Sequence, residues 1–371
     1  MHDKLKVCHI INSFSTGGAE KVVLSYLEEF KGDSEYEMIA VSLAENRHKV
    51  YDKIAEQNGL HIEYLNLKRR KNIISERLYQ IRSIRKYLKK KKPDIIHMHL
   101  SLLNIVCIAS IGLGIRVKFH TIHSDPRVTS KGFHRIINAM YYHFFNVTAI
   151  CLNDEMKGYA NRLFFTNKTL VLHNGIRIEE YSRLTHDDAK EYLGFTPGQT
   201  IIGHVGRFSE VKNHKKVLSV FREIKDNVPT AVLVLVGEGG LMGKVRNQAE
   251  KLDLIDSVYF LGTRYDIPEI MRSFDCFIFP SLYEGLGIVV LEAQAAGVKC
   301  VISSNIPDEV VVSNLVKKMP VESSDESWAS LVMEQLQSKA KTDYKDMEQF
   351  SMSKVCSDLK DIYAKGMYEN N

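Results

Sequence analysis

Short apolar runs rich in Val and Ile alternate with longer stretches of helical periodicity, and they do so in two successive series. Segments 7–11, 38–43, 95–98, 117–121, 149–152 and 169–172 read as strands buried on both faces, with helical periodicity at 19–30, 75–91 and 132–145. The pattern then restarts. Strands at 201–205, 231–236, 258–261, 276–279 and 300–303 are separated by helices at 215–225, 243–252, 267–272 and 288–296. Such alternation builds a parallel, doubly wound sheet, so the expected fold is α/β with two Rossmann-like units. A chain of 371 residues is long enough for two cores. The seam falls after the Asn174-Gly175 turn. The expected domains are 1–178, completed by a returning C-terminal helix at about 355–371, and 179–354. Parallel sheets bind ligands outside the carboxyl ends of their strands, and two sheets facing across a cleft would place those ends around one site.

Composition adds little until it is divided. The formal net charge is +5, but residues 1–180 hold 28 Lys/Arg and 18 Asp/Glu, against 22 and 27 in 181–371. A basic half joined to an acidic half suggests an anionic partner for the first. Two clusters, Lys68-Arg69-Arg70-Lys71 and Lys89-Lys90-Lys91-Lys92, supply much of the excess. The second suits a helix C-terminus before Pro93, and neither has the interleaved aromatics of a nucleic-acid stripe.

Six scattered cysteines form no Cys-x-x-Cys pair and fit a reducing compartment better than a disulfide framework or a zinc site. No apolar leader precedes the first strand. Residues 95–115 contain no Lys, Arg, Asp or Glu, but His97, His99, Ser101, Asn104 and two glycines point to a buried strand, turn and helix. A cytoplasmic protein is expected, with peripheral attachment to the inner face of the membrane as an option.

Three loops after strands are candidates for chemistry. Asn12-Ser13-Phe14-Ser15-Thr16-Gly17-Gly18-Ala19-Glu20 opens a helix with two glycines, which suits an anion at a helix N-terminus or a plain turn. It is not Gly-x-Gly-x-x-Gly, so a dinucleotide fingerprint is missing and a dehydrogenase is disfavoured. The second loop carries Arg207 and Lys212, a fork and a point charge five residues apart, which suit a phosphate group or open solvent. In the third, Glu284 precedes Gly285-Leu286-Gly287, and Glu292 lies two turns into an apolar helix. A carboxylate among Val290, Leu291 and Ala293 needs a partner; a vicinal diol of a sugar would serve, and so would an internal cation. Histidines also follow strands at His97, His99, His120, His123 and His173. His123 is the strongest of these, because it ends its strand at the expected cleft edge.

In order along the chain these residues resemble glycosyltransferase family 4, retaining enzymes of the two-domain GT-B fold. The resemblance rests on Gly17-Gly18-Ala19-Glu20, Asp94-Ile95-Ile96-His97-Met98-His99, Thr121-Ile122-His123, His173-Asn174-Gly175-Ile176 and Gly206-Arg207 with Lys212-Asn213-His214. It continues through Val236-Gly237-Glu238-Gly239, Phe260-Leu261-Gly262 and the stretch from Glu284 to Glu292. Tyr283-Glu284-Gly285-Leu286 and Leu291-Glu292-Ala293-Gln294-Ala295-Ala296-Gly297 are most similar to the bacterial exopolysaccharide and capsule enzymes.

The resemblance implies a role for each position. Arg207 and Lys212 would hold the donor diphosphate, Glu292 the ribose and Glu284 the transferred sugar. Backbone amides at Gly285, Leu286 and Gly287, with those at Gly17 and Gly18, would cap the phosphates. His123 would lie beside the reacting sugar. The expected co-substrate is a nucleotide-sugar, most often a UDP-sugar in that group, with no cofactor. The expected acceptor is a saccharide or a polyprenyl-diphosphate-linked sugar, and an anionic membrane surface is a further expected partner, but not nucleic acid. Two departures bear on the site: Gly285-Leu286-Gly287 where relatives often have Gly-Phe-Gly or Gly-Leu-Pro, and Ser304-Asn305-Ile306-Pro307 where they often have a glycine pair. No Asp-x-Asp pair follows a strand, so metal-independent catalysis is expected. Competing readings are a UDP-sugar epimerase of the same fold and a non-catalytic nucleotide-binding partner of a transferase; a phosphorylase would need a longer chain.

Overall fold

The computed structural model describes residues 4–14, 17–45, 50–68, 72–129, 132–339 and 344–369. The chain forms two compact units, Met1–Gly175 with Met352–Asn371, and Ile176–Ser351.

The first unit is a parallel sheet of seven strands: β1 (Leu5–Ile11), β2 (Tyr36–Ser42), β3 (Ile62–Tyr64), β4 (Ile95–His99), β5 (Val117–Ile122), β6 (Val147–Cys151) and β7 (Thr169–Val171). Their order is β3-β2-β1-β4-β5-β6-β7. The second has six: β8 (Thr200–Val205), β9 (Ala231–Val236), β10 (Val258–Gly262), β11 (Cys276–Phe279), β12 (Lys299–Ser303) and β13 (Val316–Met319), in the order β10-β9-β8-β11-β12-β13. All its pairings are parallel as well.

Every strand expected from the sequence is present, and two strands it did not suggest are added at sheet edges. β3 has only half-buried residues, and β13 reads Val-Lys-Lys-Met. An edge strand pairs on one side only and can dispense with the apolar run that marks a central strand. The helix Asp154–Phe164 was also illegible, because charges and Gly158 interrupt it; Asn153 caps it by accepting from the Met156 amide.

Local chemistry fixes the other helices. In Ile73–Lys91 the Asn72 side chain accepts from the Ile74 amide, while Lys89, Lys90 and Lys91 occupy the last turn and Lys92 closes it in the left-handed region. The second basic cluster therefore complements the negative end of the helix dipole. Of the first cluster, Arg69, Arg70 and Lys71 lie outside the described residues. The charge-free stretch resolves into β4 and the helix Leu103–Ser110, and no described helix is long and apolar enough to cross a membrane. All six cysteines are buried and free.

The helix Met352–Glu369 packs into the core of the first unit through Val355, Leu359, Tyr363 and Met367, against residues of β1 and of the helix Gly18–Glu29. In the second unit Trp328 and Val332, from Asp325–Gln337, close the core beside Leu233 and Ile278. In each sheet the strand order reverses direction at one place, between β1 and β4 and between β8 and β11. Loops leaving the carboxyl ends of those strands diverge and leave a crevice. The three loops singled out by sequence follow β1, β8 and β11.

Candidate functional site

In the second unit the loops after β8 and β11 are tied together. The Leu282 amide donates to the Val211 carbonyl at 2.8 Å, and Asn213 Nδ2 donates to the Pro280 carbonyl at 3.3 Å. Asn213 sits in the left-handed region (φ 52°) as the loop turns into the helix His214–Asn227. This turn aims Lys212 across the crevice, where its Nζ meets Glu284 Oε1 at 2.5 Å and lies 4.7 Å from the centre of the Phe279 ring. Both side chains are largely enclosed, 19% and 15% exposed. Arg207 is exposed and has no hydrogen-bond or ion-pair partner among the described residues.

Two glycines shape this crevice by conformation. Gly237 adopts φ 131°, and a Cβ there would stand 2.2 Å from the Gly206 carbonyl oxygen, so the loop after β9 lies flat against the Gly206-Arg207 backbone. Gly287, at φ 86°, caps the helix Ile288–Ala295. Leu286 is buried beneath that turn. Glu292 is only 5% exposed within the helix. Beyond β12, Asn305 Nδ2 donates to the Leu282 carbonyl at 3.0 Å, which anchors the loop that departs from the family pattern to the Glu284 loop.

Two further histidines lie here, His204 and His214, the second within the Lys212-Asn213-His214 motif. His204, fully buried, bonds through Nδ1 to the Ile278 carbonyl at 2.9 Å, while its Nε2 has no partner. His214 stacks on Phe208 at 4.1 Å and has no partner for either ring nitrogen. Burial, with Lys212 nearby, pushes His214 down to about 4, so its ring is neutral at physiological pH.

In the first unit Gly17 and Gly18 begin the helix after β1. The Glu20 carboxylate folds back over them, 2.1 Å from where a Cβ of Gly17 would be. A phosphate at these amides would share that space with a carboxylate. Ser15 and Thr16 lie outside the described residues.

The strand-end histidines separate into two groups. His120 bonds Tyr142 and the Leu100 carbonyl, and His173 the Leu152 carbonyl; both brace the fold. His97, His99 and His123 instead join His9, from the middle of β1, and Tyr363, from the returning helix. Ring nitrogens of His9, His97 and His99 come within 4.8 Å of one another. Each nitrogen of those three rings already has a hydrogen-bond partner on another side chain. The set suits shared protons better than a cation. Burial holds His9 down to about 3 and His97 and His99 well below the usual histidine range. His9 and Tyr363 gave no sequence signal, since each becomes meaningful only when the sheet register and the returning helix are known.

Known proteins share this architecture. The family model "Glycosyltransferase Family 4" matches residues 16–180, and "Glycosyl transferases group 1" matches 186–351. EpsF of Bacillus subtilis (strain 168) is 30% identical over 348 residues, 88% of this chain and 86% of its own length. The Escherichia coli UDP-Gal:alpha-D-GlcNAc-diphosphoundecaprenol alpha-1,3-galactosyltransferase is 28% identical over 349 residues, 87% and 86% of the two chains. The crystal structure of Anabaena Alr3699/HepE in complex with UDP and glucose superposes with a TM-score of 0.82 over 97% of this chain and 99% of that one, at 17% identity.

Proposed function

The chain belongs to the glycosyltransferases that join a family 4 half to a group 1 half, and from that membership we propose a retaining transfer from a UDP-sugar to a lipid-linked or free saccharide. The observation that carries this reading is the meeting of Lys212 and Glu284 where the loops after β8 and β11 diverge. A donor entering the crevice would replace one strong contact by two: its diphosphate takes the ammonium, and its sugar hydroxyls take the carboxylate. Arg207, unpaired and exposed, is free to close on the same diphosphate. Glu292 would accept from the ribose hydroxyls.

With the leaving diphosphate neutralised by Lys212 and Arg207, the bond from the anomeric carbon to the phosphate oxygen breaks as the acceptor oxygen attacks from the same face. The acceptor proton passes to the departing phosphate oxygen. Among the described residues none of the carboxylates is assigned the role of a covalent nucleophile, which favours this front-face course. The UDP expectation is supported by the UDP-bound Anabaena structure, and a polyprenyl-diphosphate acceptor by the name of the Escherichia coli relative. The test pairs a thermal-shift panel of nucleotide-sugars with transfer onto a polyprenyl-diphosphate sugar in excess chelator. Stabilisation by a UDP-sugar and chelator-insensitive, anomer-retaining transfer are expected. Isomerised donor in the absence of acceptor, or nucleotide binding without transfer, would replace the reading.

A membrane surface is the proposed setting. Ile136, Met140 and Phe144 lie four residues apart along the helix Phe133–Phe144 and are exposed, Phe144 by 77%. Ile73, Ile74 and Leu78 are exposed at the start of Ile73–Lys91, next to Arg77. An apolar stripe beside cations suits insertion among anionic headgroups, where each nearby Lys or Arg adds about 1 kcal/mol. Vesicles with anionic lipid should retain more protein than neutral ones, and a triple change of Ile136, Met140 and Phe144 to serine should abolish the difference. Equal partitioning of the unaltered protein would end the proposal.

A further inference from the structure

A continuous line of hydrogen bonds runs through the interior of the first unit on the face of the sheet that the helix Met352–Glu369 covers. It begins at His123, half-buried just beyond β5, whose Nε2 lies 2.9 Å from His99 Nδ1. His99 Nε2 lies 3.0 Å from His9 Nδ1, and His9 Nε2 lies 3.2 Å from the Tyr363 hydroxyl. The same hydroxyl is 2.7 Å from His97 Nδ1, and His97 Nε2 is 2.7 Å from Thr121 Oγ1, where the line ends. The register explains the alignment: His9 pairs with His97, and His99 with Thr121, on adjacent strands.

A neutral imidazole has one N–H and one lone pair, so each ring in such a line must accept on one nitrogen and donate on the other. The line can therefore run in only two directions, and one end decides between them. Thr121 is 5% exposed and makes no other hydrogen bond among the described residues. Were His97 to donate to it, the threonine's own hydroxyl proton would be buried without an acceptor, which costs about 1–3 kcal/mol. The hydroxyl therefore donates to His97 Nε2. His97 must then donate from Nδ1 to Tyr363, Tyr363 to His9 Nε2, His9 from Nδ1 to His99, and His99 from Nδ1 to His123 Nε2.

We propose that Thr121 sets the direction of this line, that Tyr363 relays it as a positioning residue, and that His123 consequently presents a neutral Nδ1–H donor toward bound ligand. His123 Nδ1 has no partner among the described residues. The direction follows from the geometry alone. That the ligand is an oxygen of a saccharide substrate rests on the function proposed above. In this arrangement His123 supplies a hydrogen bond to that oxygen and has no lone pair facing outward to act as a base. Burial keeps the line neutral, since it holds His123 and His9 to about 3.

The test is long-range nitrogen–proton NMR of the full-length protein, carrying isotope-labelled histidine. His9, His97, His99 and His123 should all show the Nδ1–H tautomer. His120 is an internal reference of opposite sign, because its Nε2 faces the Leu100 carbonyl at 2.7 Å and must donate to it. An Nε2–H tautomer at any of the four overturns the proposal. Tyr363→Phe cuts the line in its middle, and Thr121→Val removes its origin; either should give mixed tautomers at His123 while the His120 signal is unchanged. Thr121→Ser should restore the single tautomer. Transfer should fall by the same factor as the Nδ1–H population at His123, with the KM for donor altered less than kcat. A full-rate Tyr363→Phe enzyme with mixed His123 tautomers would overturn the positioning role. An unimpaired His123→Ala enzyme would overturn its ligand contact, while the tautomer spectrum separately decides the direction of the line.

Discussion

Replacing Arg207 and Lys212 together by alanine should leave about a thousandth of wild-type turnover or less, since one donor aimed at developing charge commonly contributes a factor of 10²–10³. The two single substitutions should differ. Lys212 is held against Glu284 at 2.5 Å, and its removal leaves an enclosed carboxylate without its cation as well as a diphosphate without its clamp. Arg207 stands exposed, and its removal subtracts only the contact to donor. Lys212→Ala should therefore cost more than Arg207→Ala. Adding Glu284→Gln to Lys212→Ala should cost less than the sum of the separate changes, as expected for residues that share a partner. Steady-state kinetics of five variants, the Glu284→Gln single change included, suffice. Near-wild-type turnover in the Arg207/Lys212 double variant would sink the assignment.

Acid should unfold this protein at a pH where carboxylates are still ionised. Burial holds His9 and His123 to about 3, His120 and His214 to about 4, and His97, His99 and His204 well below the usual range. In the unfolded chain a histidine titrates near 6.5. The folded form therefore holds fewer protons than the unfolded form between about pH 6.5 and 4, and stability falls as pH falls through that window. Each such histidine contributes a slope of up to about 1.4 kcal/mol per pH unit. Three behaving fully would remove about 4 kcal/mol per unit, a large part of an ordinary domain's stability. Urea midpoints measured from pH 7.5 to 5 should drop steeply, with an uptake of several protons on unfolding. A flat midpoint across that range would show that these rings are protonated in the folded protein.

What could be read from sequence follows how local each signal is. Central strands such as β9, Ala-Val-Leu-Val-Leu-Val, announce themselves because both faces are buried and every residue is apolar. Edge strands and the helix Asp154–Phe164 do not, because partly exposed and charged residues interrupt their apolar pattern. Lys212 and Glu284 were each visible as charges in loops after strands, and 72 positions of chain hid their pairing. His97, His99 and His123 stood out at strand ends. His9 looked like one more residue of an apolar strand, and Tyr363 like one more aromatic in a charged helix. Their function as a set exists only through sheet register and a helix brought back from far along the chain.

That return has a consequence for how the protein comes into being. The helix Met352–Glu369 belongs to the first unit, yet all of Ile176–Ser351 is synthesised before it. At ribosomal speed the first sheet waits roughly 10–35 s for its missing layer. During that interval the histidine face of β1 and β4 lacks Tyr363 and is covered only in part, by the helix Gly18–Glu29, whose Tyr26 ring lies 5.8 Å from that of His9. The hydrogen-bond line is broken at its middle, and the direction of its protons is not yet set. The second unit has its whole sequence first, so the nascent chain can complete that unit before the first can mature. Production of an active enzyme is timed by the arrival of one helix.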